Sequence, residues 1–204
     1  MSIRPVVGCG TALVTPFTSD GQVDEGALRA LVEWQLSEGV HFLVPCGSTG
    51  EAATLSLEEH ARVVAITVEQ CAGRVPVVAG AGANDTQKAI ALSKLARGAG
   101  ATHLLHVSPM YNKPQQRGIV AHFRAIAAAV DLPIVVYNVP GRTASNIEAR
   151  TTLELATIPG IVAIKEASGN IGQIAEILRD RPPSFAVLSG DDAMTLPVMA
   201  LGGE

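Results

Sequence analysis

Short apolar runs alternate with longer amphipathic stretches along almost the whole chain. Residues 6–14 form an apolar run broken by glycine, and Thr15-Pro16 stops it. Asp24 then caps a helix to about Glu38, with Leu28, Leu31, Val32 and Leu36 on one face and Gly39 ending it. A strand over 40–44 runs into the Gly-rich loop Pro45-Cys46-Gly47-Ser48-Thr49-Gly50-Glu51. Ser56 caps the next helix, over 57–71, with Glu58 and Glu59 in the first turn, where the helix dipole favours carboxylates. The alternation repeats with strands over 75–79, 102–107, 133–137, 161–165 and 185–188. Helices follow: one capped by Asp85 or Thr86 and reaching about Arg97, one from about Gly118 to Val130, then 147–157, 171–179 and 191–201.

Seven strand–helix units without an intervening linker predict one α/β domain over 1–204, a parallel sheet covered by helices. Each crossover should be right-handed. Such a sheet can stay open or close into a (β/α)8 TIM barrel. Polar groups follow many different strands: Thr15, Ser48 and Thr49, Tyr111, Tyr137 and Arg142, Lys165, Gly190 and Asp191. A barrel gathers all strand C-termini at one mouth, whereas an open sheet brings only a few together at a switch point. The expectation is therefore a TIM barrel. Because the chain ends at Leu201-Gly202-Gly203-Glu204, it is expected to be a fragment cut before the eighth strand.

Composition narrows the chemistry. Apolar residues make up 48% of the chain and aromatics 3%, so the core must be built from Ala, Val, Leu and Ile. A formal charge of −4 without a basic cluster argues against nucleic acid, and no apolar run is long enough for a bilayer. Met1 to Pro5 lack the apolar core of a signal peptide. Cys9, Cys46 and Cys71 read as free thiols of a reducing cytoplasm.

Lys165 ends an unbroken apolar run, Ile161-Val162-Ala163-Ile164. Desolvation at such a place lowers an amine's pKa, and a neutral amine is what a Schiff-base nucleophile needs; a strand-end lysine that snorkels to water is the other reading. Tyr137 shares an inward parity with Val135, as Lys165 does with Ala163 and Ile161, so both can face one barrel mouth. A phenol there can shuttle protons or simply be buried and hydrogen-bonded. Gly47-Ser48-Thr49-Gly50 suits either a carboxylate cradle or plain turn chemistry, and no lysine follows as in a phosphate loop. Arg142 can grip a carboxylate with two parallel hydrogen bonds or sit in solvent. Ser189-Gly190-Asp191-Asp192 fits Mg²⁺ binding or a helix cap. His41, His60, His103, His106 and His122 lack metal-ligand spacing and read as structural.

Taken in order, CGSTGEAATLS, SPMYNKPQQRG, YNVPGRT, IKEASGN and LSGDDA resemble the dihydrodipicolinate synthase/N-acetylneuraminate lyase family, from about Gly8 to the end. The resemblance implies a class I aldolase on a TIM barrel, with no cofactor beyond the covalent lysine–pyruvate imine. It implies that Lys165 forms the imine, that Tyr137 exchanges protons there, and that Ser48 and Tyr111 complete a relay, Tyr111 coming from a neighbouring subunit. It further implies that the N–H groups of Ser48 and Thr49 hold the pyruvate carboxylate, that Arg142 orients the second substrate and that Gly190 offers a backbone carbonyl. Family loops commonly have threonine where Ser48 stands, and either residue supplies the hydroxyl. The arginine of YNVPGRT points to the branch that condenses pyruvate with L-aspartate 4-semialdehyde into 4-hydroxy-tetrahydrodipicolinate, for lysine and diaminopimelate. A pyruvate-dependent sugar-acid lyase and an inactive fragment are the alternatives. The family pattern also implies a cytoplasmic homotetramer built from tight dimers that share Tyr111, with neither nucleic acid nor membrane as partner.

Members inhibited by lysine carry glutamate at the place of Lys88, histidine at Leu57 and an aromatic residue at Met110, whereas His60 and Asn84 match. A cationic Lys88 should repel the effector, so feedback by L-lysine is expected to be weak or absent.

Overall fold

The computed structural model describes residues 6–204; Met1 to Pro5, read above as lacking a signal-peptide core, lie outside the described residues. Strands and helices alternate, the described strand ladders are parallel beside one isolated antiparallel bridge between Phe17 and Val23, and the class is α/β. The described residues hold seven strands, where a (β/α)8 barrel has eight. No described helix is long and apolar enough to cross a membrane. The chain divides into two compact units, Met1–Ala81 with Leu92–Leu105, and Gly82–Ala91 with His106–Glu204.

In the first unit, β1 (Gly10–Ala12) pairs with β2 (Phe42–Val44), in the register Gly10↔Phe42, Thr11↔Leu43 and Ala12↔Val44. The first strand starts later than the apolar run suggested, because Gly8 turns at φ 84°, and it ends at Ala12. Helix α1 (Glu25–Ser37) starts where expected: the Asp24 carboxylate accepts from the Ala27 N–H. Helix α2 (Leu57–Cys71) opens with a full capping box between Ser56 and Glu59. Leu28 and Val32 of α1 and Val63, Val64 and Ile66 of α2 are buried, while the ion pairs Arg62–Glu25 and Arg29–Glu69 join the two helices and Arg74, after α2, pairs with Glu33 of α1. Strand β3 (Val78–Gly80) pairs with the start of β4 (His103–Val107). Helix α3 (Thr86–Gly98) lies between them in the chain, with Asp85 rather than Thr86 as its cap, Oδ1 accepting from the Lys88 N–H.

In the second unit, β5 (Ile134–Asn138), β6 (Ile161–Glu166) and β7 (Ala186–Ser189) lie side by side. All five residues of β5 are buried, as a strand covered on both faces requires. Helix α4 (Gln116–Ala129) buries Ile119, Phe123 and Ile126. The Pro-Gly-Arg-Thr segment, read as a loop, is a short helix α5 (Pro140–Thr143) with its proline in the first turn. Helix α6 (Ala149–Leu155) begins later than expected: Glu148 is extended, at φ −66° and ψ 156°, and takes the N-cap position, while the Ile147 N–H goes to the Asn138 side chain. Helix α7 (Ile171–Asp180) is capped by Asn170. The last predicted helix splits into a 3-10 turn (Asp192–Met194) and α8 (Thr195–Ala200). Pro197 has no N–H to return to the Ala193 carbonyl, so one continuous helix cannot form.

Candidate active site

The ends of β5 and β6 build the site in the second unit. Val162 is an extra residue in β6: Ile134 pairs with Ile161, but Val135 pairs with Ala163. From there Tyr137 stands opposite Lys165 and Asn138 opposite Glu166. Without this bulge Tyr137 would face Ile164, and a slip of one residue would turn the lysine to the other face of the sheet. With it, the Lys165 amine lies over the Tyr137 ring, 4.6 Å from its centroid. Tyr137 is 7% exposed, and its carbonyl accepts from the Ser108 N–H at 3.0 Å.

Burial pushes the Lys165 amine below the ordinary lysine value, the Arg142 guanidinium adds to that shift, and Asp192 opposes it. Burial raises the Tyr137 phenol, with Arg142 pulling the other way. A cation over the ring would favour the ammonium, whereas desolvation, first among the causes of the shift, favours the neutral amine. Arg142, on α5, is therefore close enough to act on both groups, and its own side chain is exposed. Thr143 anchors that helix by donating to the Ser145 carbonyl at 2.8 Å. Gly190 follows β7 and donates to the Glu166 carbonyl at 2.7 Å. A Cβ at Gly190 would come within 2.7 Å of Lys165 Cε and 2.9 Å of its Cγ, so the glycine leaves room for the lysine stem.

Lys165, Tyr137, Arg142 and Gly190 thus come together. Tyr111 stands out in solvent, 88% exposed, at φ 71° in the loop before α4. Ser48 and Thr49 belong to the first unit, in exposed turns after β2. That loop is pinned at both ends. Thr15 donates to the Gly50 carbonyl at 2.7 Å, and the Cys46 carbonyl presses on Gly80 where no Cβ could fit. Cys46 itself is buried, at φ 55°, and burial raises its thiol to about 12. Among the described residues no backbone carbonyl accepts from the N–H of Ser48 or Thr49.

Sequence reasoning missed the other face of these strands. Glu166 is 1% exposed, and its carboxylate accepts from Asn138 Nδ2 at 3.1 Å on both oxygens, from the Ser168 N–H at 2.8 Å and from Gln173 Nε2 at 3.2 Å. Asn138 also donates to Asn146, which donates to Gln173. The available signal was two strands each ending on a polar pair, Tyr137-Asn138 and Lys165-Glu166. Two of the histidines make buried or part-buried hydrogen bonds: His60 Nε2 meets the Gly80 carbonyl at 2.8 Å, and His122 Nδ1 the Thr86 hydroxyl at 2.9 Å. Asp191 caps the 3-10 turn by accepting from the Ala193 N–H. Among the described residues no group of three or more His, Cys, Asp or Glu side chains is placed to hold a metal ion. Cys9, Cys46 and Cys71 are free thiols.

Parallel strands whose ends carry a desolvated lysine against a phenol define an α/β protein with a lysine-centred site. The model of the dihydrodipicolinate synthetase family matches residues 5–204. The chain belongs to that family. It is 58% identical over 197 residues to a 4-hydroxy-tetrahydrodipicolinate synthase of Koribacter versatilis, covering 96% of this chain and 66% of the relative. A crystal structure of dihydrodipicolinate synthase from Aquifex aeolicus superposes with a TM-score of 0.93 at 46% identity, covering 96% of this chain and 67% of that one. A chloride-inhibited dihydrodipicolinate synthase from Acinetobacter baumannii, complexed with pyruvate, gives 0.95 at 44% identity, covering 98% and 68%. The chain spans about two thirds of the length of the curated relatives it matches.

Proposed function

We propose that this chain carries the lyase chemistry of 4-hydroxy-tetrahydrodipicolinate synthase, condensing pyruvate with L-aspartate 4-semialdehyde through an imine on Lys165. The observation that carries the reading is the desolvated Lys165 amine over the Tyr137 ring, flanked by Arg142, in a chain of this family. The amine attacks the pyruvate ketone and water leaves. The resulting iminium draws electrons, a methyl proton departs, and the enamine adds to the aldehyde. The product's own amine displaces Lys165 and closes the ring. Tyr137 carries protons in the carbinolamine and imine steps. Arg142 grips the semialdehyde carboxylate as a bidentate partner, and holding both carboxylates is chiefly a positioning effect.

For Ser48, Thr49 and Tyr111 the assignment rests on the family pattern. Ser48 and Tyr111 would extend the proton relay, with Tyr111 supplied by a neighbouring subunit of a tight dimer within a tetramer. The Ser48 and Thr49 N–H groups would hold the pyruvate carboxylate, and Gly190 would present its carbonyl to the condensation. On this reading the seven strands are those of a single (β/α)8 barrel domain, the lysine imine replaces any cofactor, and the enzyme works in the cytoplasm on small molecules. The test is direct: incubate the protein with pyruvate, reduce with borohydride and weigh it. A pyruvate adduct absent from Lys165→Ala is expected; no adduct, or one that survives the substitution, would sink the assignment. Coupled assays with aspartate semialdehyde against sugar aldehydes then fix the acceptor.

A further inference from the structure

Two cross-strand rungs lie next to each other at the ends of β5 and β6: Tyr137 opposite Lys165, then Asn138 opposite Glu166. Successive residues of a strand face opposite ways, so the first rung faces the chemistry and the second faces the helices. We propose that the buried carboxylate of Glu166 is a positioning residue, a single acceptor that fixes Lys165, Tyr137 and the Arg142 segment in one geometry. The inference deepens the imine reading above and rests on it.

The bonds trace the argument. The Glu166 carboxylate holds Asn138 across the sheet, which locks the register of the rung that carries the lysine and the tyrosine. Its backbone carbonyl accepts from the Gly190 N–H, and the following N–H, of Ala167, donates to the Asn138 carbonyl. Lys165 is therefore tied toward β7 on one side and β5 on the other, through the next two residues. Asn138 in turn accepts from the Ile147 N–H at 3.0 Å and donates to Asn146 Oδ1 at 2.9 Å. Those residues end the segment that begins with Arg142, and Gln116 fastens it again through the Asn146 carbonyl.

The chemical type of the side chain follows from its partners. Asn138 Nδ2, Gln173 Nε2 and the Ser168 N–H are all donors. The Ile147 N–H on Asn138 Oδ1 and the Asn146 amide on Gln173 Oε1 fix which way both amides point. An acceptor-only group is required at residue 166. Glutamine has the shape of glutamate but would turn its own NH2 against donors that cannot reverse.

The test compares Glu166→Gln with Glu166→Asp in the full chain, following the rate of borohydride-trapped pyruvate adduct and the KM for aspartate semialdehyde. Packing alone favours glutamine, which keeps the volume; the acceptor role favours aspartate, which keeps the carboxylate. E166Q is expected to form adduct about tenfold more slowly or worse, as misplacement of a reacting group implies, with a raised KM for the semialdehyde and partial recovery in E166D. E166Q trapping pyruvate at the wild-type rate, or no more slowly than E166D, overturns the inference while leaving the imine reading intact. A wild-type chain that traps no pyruvate overturns both. If E166Q does not fold, Gln173→Ala carries the same test by removing one donor: slower trapping supports the role, and an unchanged rate refutes it.

Discussion

Replacing Gly190 by alanine is the sharpest steric probe of the lysine. Gly190 does not lie in the left-handed region, so alanine strains no backbone there. The new methyl would sit 2.7 Å from Lys165 Cε, 2.9 Å from its Cγ and 3.1 Å from the Ala167 Cβ. Carbon atoms pack comfortably at about 3.5–4.0 Å, so the lysine stem must retreat by about 1 Å. A flexible side chain can do so with little loss of stability, because the two nearest atoms are its own methylenes; the Ala167 Cβ must give by only a few tenths of an ångström. The amine, however, leaves its place over the Tyr137 ring. A misplacement of about 1 Å at a reacting group can cost on the order of a hundredfold in rate. The assay is the pseudo-first-order rate of borohydride-trapped pyruvate adduct, beside a thermal melt. G190A should melt within a few degrees of wild type yet trap pyruvate roughly a hundredfold more slowly. Trapping at the wild-type rate would refute the claim that Gly190 clears space for the reactive amine.

Gly80→Ala should act oppositely, on stability: its Cβ would overlap the Cys46 carbonyl, backbone that cannot swing aside, and a loss of about 1–3 kcal/mol or more in urea unfolding is expected; an unchanged midpoint would contradict the close approach. Burial holds His106 down to about 3 and lowers His60 and His122 as well, so below about pH 6.5 the unfolded chain binds protons that the folded chain refuses. Stability should be level above neutrality and fall on acidification, at up to about 1.4 kcal/mol per pH unit for each fully desolvated histidine; equal urea midpoints at pH 7 and pH 5 would exclude this. L-lysine should leave the proposed condensation unaffected below roughly millimolar, because Lys88 brings a like charge to the effector position that the family resemblance implies; half-inhibition at lower lysine would overturn that reading.

Helix starts were legible because their determinants are local. Asp24 caps α1, and Ser56 with Glu59 boxes α2, through partners three residues away. Lys165 and Tyr137 were legible as polar residues ending apolar strands, within motifs of a known family. Register was not legible. Nothing in Ile161-Val162-Ala163 announces that Val162 bulges, yet that residue decides which side chain faces Lys165. Nor does a run of letters show that Glu166 is buried among donors from Asn138 and Gln173, or that Gly190 clears the lysine stem. The chain alone therefore determined the order of elements and the chemical groups available, through periodicity and near-neighbour hydrogen bonds. Tertiary structure decided their alignment, because parallel strands meet only after long crossovers, and their pairing is set by packing and hydrogen bonds between distant residues.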